Sequence, residues 1–182
     1  MRYEITNDDD PENPCEWTEW EPISFGNRHT NYKDPADVGI KGVDRYGDVV
    51  ASQRLQRKLD SNTAFVLSYY EHSDCVWFLK GHGAPGTDCR WDGRKVAGLL
   101  RWNGKARDIG KTLEDREKNA KLFIESYTQW CNGEIYQYTI YDDDDEIVGS
   151  CTGMHGYEYA EQIAKEEMEA LKGTLTKSGV LT

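Results

Sequence analysis

His72, Cys75, His82 and Cys89, with Asp74 and Asp88 beside them, are the densest run of side chains able to hold a metal or move a proton. Zinc takes four tetrahedral donors of this kind, and His-x2-Cys followed by His-x6-Cys would supply them if the intervening strand folds back. The same region offers acid/base chemistry: the His72 imidazole, with Asp74 or Asp88 and a glycine-rich loop at residues 81–86, is the candidate catalytic group. A hairpin whose His and Cys pack locally accounts for the spacing as well. No nucleotide-binding glycine loop, metalloprotease helix, nucleophile elbow or zinc-finger spacing is present. No cofactor is therefore expected, with zinc as the alternative.

Carboxylates form two further clusters. Asp142, Asp143, Asp144, Asp145 and Glu146 crowd one turn, and Asp8, Asp9 and Asp10 precede Pro11. Oxygen-rich turns suit hard cations, but neither cluster has the alternation, glycine and distant Glu of an EF-hand, so both read as solvated turns or partner-facing charge. The opposite charge gathers at Arg90, Arg94, Lys95, Arg101, Lys105, Arg107 and Lys111, interleaved with Trp91 and Trp102. That mixture suits phosphates and stacked bases, and serves equally as internal counter-charge to the acidic ends.

The elements that must position these groups follow from the pattern. A short strand at residues 2–6 leads into a proline-bounded acidic arm, pinned by Trp17 and Trp20. Residues 32–47 read as loop and 51–59 as a short helix. Strands are expected at 63–70, 75–80 and 96–102. A capping box at Thr112 and Asp115 opens a helix whose stripe runs through Leu113, Ala120, Phe123, Ile124, Tyr127, Trp130 and Cys131, broken by Arg116 and ended by Gly133. A hairpin over 135–152 and a helix over 157–171, stopped at Gly173, complete the chain. The expectation is an α+β fold: an antiparallel sheet with two main helices packed on one face. Residues 1–31 would be an acidic extended arm, 32–173 a single domain and 174–182 a flexible tail.

The 182 residues carry 33 acidic and 22 basic side chains, a net charge of −11. The distribution is uneven: residues 1–21 hold −7, 22–133 hold +4 and 134–170 hold −10. Apolar aliphatics are sparse, but six Trp, eleven Tyr and four Phe can build a modest core. No apolar run approaches the roughly 20 residues of a membrane span, and the opening has no secretory h-region, so the cytoplasm is the expected location. Five scattered cysteines without a Cys-x-x-Cys pair are expected as reduced thiols.

Three stretches carry a resemblance. They are Asn7-Asp8-Asp9-Asp10-Pro11-Glu12-Asn13-Pro14 with Trp17; Leu67-Ser68-Tyr69-Tyr70-Glu71-His72-Ser73 with Cys89-Arg90-Trp91-Asp92-Gly93; and Gly133-Glu134-Ile135-Tyr136-Gln137-Tyr138 continuing through the acidic turn to Gly156-Tyr157-Glu158-Tyr159-Ala160-Glu161. Together they resemble a family of small, largely uncharacterised bacteriophage and prophage accessory proteins. The resemblance implies a phage-encoded protein in the cytoplasm of its bacterial host and carries over no catalytic residue.

The leading expectation is thus an interaction protein; an enzyme is the less favoured reading. Its acidic faces would bind and inhibit a basic host enzyme or defence complex, by imitating nucleic acid. Asp8, Asp9, Asp10, Asp142, Asp143, Asp144, Asp145, Glu158 and Glu161 supply the charge, and Trp17 and Trp20 the apolar anchors. The alternatives are a small metal- or ligand-binding protein or enzyme centred on the His72/His82 loop, and direct nucleic-acid binding through the Arg90–Lys111 basic stretch.

Overall fold

The computed structural model describes residues 1–26, 31–82 and 93–178. Tyr3 and Ile5 alternate with Arg2, Glu4 and Thr6, the pattern of a half-buried strand, and form β1 (Arg2–Asn7). Pro11 and Pro14 then interrupt regular pairing, and a 3-10 turn follows at Pro14–Glu16, where Asn13 Oδ1 accepts from the Cys15 N–H at 3.0 Å. Strands β2 (Trp20–Ser24), β3 (Ile40–Val43) and β4 (Val49–Ala51) lead to α1 (Gln53–Asp60), capped by Ser52. Next come β5 (Ala64–His72), β6 (Asp74–Leu79), β7 (Gly93–Trp102), α2 (Leu113–Cys131), β8 (Ile135–Tyr141), β9 (Ile147–His155) and α3 (Tyr157–Ser178). The fold is α+β, as the order of patterns implies.

By their contacts these elements form two compact units, Met1–Glu12 with Gln129–Thr182, and Asn13–Thr128. The larger unit is built on an antiparallel sheet in the order β2-β7-β5-β6. Ile23, Ala64 and Leu99 point to one side, where Ile40 of β3 and Leu55 of α1 complete a core cluster. Trp20, Phe65 and Trp102 form an aromatic layer on the other side, and Phe123 of α2 stacks on Trp20 at 6.3 Å. Pro22 is tolerated because β2 is an edge strand, where a missing N–H costs no ladder bond.

The smaller unit pairs the two ends of the chain. Its sheet has the order β1-β8-β9, with Tyr3 opposite Ile140 and Ile5 opposite Tyr138. Those side chains and Cys151 pack against Ile163, Ala164, Met168 and Leu171 of α3. Asp8 closes the end of this sheet: its N–H donates to the Ile135 carbonyl at 2.9 Å, and its carboxylate accepts from the Gly153 N–H at 2.9 Å.

The two long helices do not share one face of one sheet; α3 covers the β1-β8-β9 sheet, and α2 meets the aromatic layer of the other. Residues 32–47 contain β3, because Ile40, in a Gly-, Asp- and Pro-rich stretch of loop-like composition, is drawn with Val38 into the Leu55 core. The strand expected at residues 2–6 forms as β1, whereas residues 20–24 of the expected arm are a second strand, in the other unit. α3 passes through Gly173, whose helical backbone costs only about 1 kcal/mol and does not stop a helix by itself. Arg116, the break in the α2 stripe, spends its guanidinium on the carbonyls of Gly110 and Ser61, at 3.0 and 2.8 Å.

Candidate interaction surface

The described metal candidates do not converge, although the acid/base pair His72 and Asp74 does. His72 and Asp74 face each other across the β5–β6 tip, whereas His82 lies just beyond the far end of β6, about 20 Å away at 3.3 Å per residue. Cys75 stays at the tip with His72, and Asp88 and Cys89 lie outside the described residues. Among the described residues no group of three or more His, Cys, Asp or Glu side chains is placed to hold a metal ion. His82 instead meets a partner that sequence reasoning did not select: its Nε2 is 3.1 Å from Glu117 Oε1 of α2. Lys121 holds the same oxygen at 2.9 Å and pulls the Glu117 carboxyl below its ordinary value.

Two of the candidate aromatic contacts are also withdrawn. Trp20 is 2% exposed and Trp102 8%, so the first cannot anchor a partner and the second cannot stack on a base. Their indole N–H groups donate inward, to Asn119 Oδ1 at 2.8 Å and to the Lys105 carbonyl at 3.0 Å. Trp17 is exposed. Within the basic stretch Arg101 is taken by Glu21, while Arg94, Lys95, Lys105, Arg107 and Lys111 are exposed and Arg90 and Trp91 lie outside the described residues.

The acidic candidates fare differently. Asp8, Asp9, Asp10, Asp142, Asp143, Asp144, Asp145, Glu158 and Glu161 all belong to the smaller unit. That unit holds 16 carboxylates and 4 bases, a net −12, and the remaining residues hold 17 and 18, a net +1. Within it, the two aspartate clusters occupy opposite ends of β8, about 20 Å apart along the strand. Glu158 lies at the Asp8 end, in the first turn of α3, where the helix dipole favours negative charge. Some of this charge is structural: Asp8 caps Gly153, Asp142 accepts from the Asp144 and Glu146 N–H groups at 2.9 Å, and Arg2 pairs with Asp145 at 3.1 Å. Glu161 accepts from Tyr3 Oη and Lys165. Asp9, Asp10, Asp144 and Glu158 are exposed.

Beside Glu158 is a cleft of about 440 Å³, lined by Glu134, Tyr136, His155 and Tyr157 among others. The Tyr136 and Tyr157 rings meet edge to face at 5.6 Å. Carboxylates and aromatic rings are the groups that attract a cation, above all a guanidinium. Burial pushes the His155 imidazole below its ordinary value, so it does not oppose such a guest with charge at neutral pH. The sequence signal for this cleft is the pair of segments Gly133-Glu134-Ile135-Tyr136 and Gly156-Tyr157-Glu158-Tyr159, each joining a glycine in the left-handed region to Tyr and Glu.

No family model, curated protein or solved structure matches the chain. Among the described residues, no helix is long and apolar enough to cross a membrane.

Proposed function

We propose that the protein is an accessory interaction protein whose acidic unit docks on a basic surface of a host protein, of the kind that binds nucleic acid, and blocks it. The observation that carries this reading is the co-folding of both chain ends into one unit of net −12, with the other unit near neutrality. Carboxylates spread over about 20 Å suit a groove lined with Lys and Arg, where a phosphate backbone would otherwise lie. The Glu134–Glu158 cleft, with Tyr136 and Tyr157, supports a specific contribution: it would take one arginine of the partner as an anchor. The resemblance to phage accessory proteins supplies the setting, a bacterial host.

The test is capture of host protein on the tagged chain at low salt, followed by competition. The bound partner is expected to be displaced by duplex DNA or RNA and by arginine-rich peptide. A partner that stays bound while it also binds nucleic acid would contradict occlusion. Glu158→Gln with Glu134→Gln is expected to weaken partner binding by about tenfold without lowering thermal stability.

A further inference from the structure

In the near-neutral unit, α1 and the end of β7 enclose a pocket of about 220 Å³. Arg54 and Lys58, four residues apart and so on one face of α1, line it together with Arg101 of β7. Among the described lining residues Asp37 is the one carboxylate. Glu21 does not cancel the excess, because it is shared: Lys33 reaches one of its oxygens at 2.5 Å and Arg101 the other at 2.5 Å. Lys33, Arg54, Lys58 and Arg101 against Glu21 and Asp37 leave a local +2.

Two of the donors are held in place by the fold. Lys58 Nζ donates to the Trp102 carbonyl at 3.3 Å, which fixes the ammonium beside Arg101 and leaves its other hydrogens for a guest. Ser52 Oγ accepts from the Leu55 N–H at 3.3 Å, so its own hydrogen is free to be given away. Gly39 keeps the space at this hydroxyl open: its φ is +92°, and a Cβ there would lie 2.5 Å from Ser52 Oγ. We propose that this pocket binds a phosphate group, as the free ion or as the end of a phosphomonoester. Its volume is below the roughly 300 Å³ of a site that swallows a drug-sized ligand, so the rest of an ester would lie outside. Burial first, then Arg101 and Arg54, draw the Lys58 ammonium below its ordinary range, the electrostatic cost that an anion between them relieves. The site does not depend on the acidic unit or on its partner.

The experiment is a nitrogen-15 NMR titration of the full chain at constant ionic strength, with inorganic phosphate, a 5′-mononucleotide and the matching nucleoside. Phosphate or mononucleotide is expected to move the signals of Ser52, Arg54 and the Arg101 side chain, with the nucleoside inert. Arg54→Gln and Lys58→Gln are each expected to weaken binding about tenfold, while the spectra verify that both remain folded. Equal binding of phosphate and mononucleotide assigns the free ion; binding of the mononucleotide alone assigns the ester. No response to either below about 10 mM, or variants that titrate like the wild type, would overturn the proposal.

Discussion

Glu21 is a heavily partnered carboxylate of the larger unit, accepting from Lys33, Arg101 and Asn103 at 2.5 to 3.1 Å. Burial pushes its carboxyl up, but the bonds from Lys33, Asn103 and Arg101 outweigh that and hold it at about 2 against an ordinary 4.5. Between those values the unfolded chain binds the extra proton, so the stabilisation is complete above 4.5 and is lost as pH falls through 2. Glu21→Gln is therefore expected to cost about 2 kcal/mol at pH 7, a figure reduced for partial exposure, with the difference from wild type shrinking as pH falls through that window. Urea unfolding of both proteins across that range measures it. Asp8 separates structure from binding in the same way. Asp8→Ala leaves the Gly153 N–H without its acceptor and is expected to cost about 1 kcal/mol, whereas Asp8→Asn keeps an oxygen there and should lose partner affinity alone.

At the scale of elements, β7 depends on one glycine. A Cβ at Gly98 would stand 2.3 Å from the Ile23 carbonyl oxygen and 3.3 Å from the Trp77 ring, so Gly98→Ala is expected to force β2 outward and cost about 2–3 kcal/mol in urea unfolding. The helices test how local signals act. The Thr112–Asp115 capping box was legible, and it forms with both bonds at 3.0 Å; Thr112→Ala should cost about 1 kcal/mol. The strands β5, β6 and β8 were legible for the same reason, since branched and aromatic runs bounded by turn residues need no distant partner to be read, and β9 followed as the return arm after the Asp142–Asp145 turn. β2 and β3 were not. Pro22 argues against a strand until its edge position is known, and Ile40 gains its partners, Ile23, Leu55 and Leu99, from three separate parts of the chain. Nor does spacing alone give the His82–Glu117 pair, which forms only because α2 returns past the end of β6.

For the whole molecule, the decisive fact is the partition of charge. Segment sums placed acid at both ends of the sequence, but only the pairing of β1 with β8 brings those ends into one unit of net −12. An acidic unit of this kind steers a basic partner and is screened by salt, while buried apolar contacts are not. The measurement that tests this most directly is the affinity for the captured host protein between about 0.05 and about 0.2 M salt, for wild type and for a variant carrying Asp144→Asn, Glu146→Gln, Glu158→Gln and Glu166→Gln. The account predicts that wild-type affinity falls about tenfold or more over that range and that the variant binds more weakly with a shallower slope. An affinity that is the same at both salt concentrations, and the same in the variant, would contradict it.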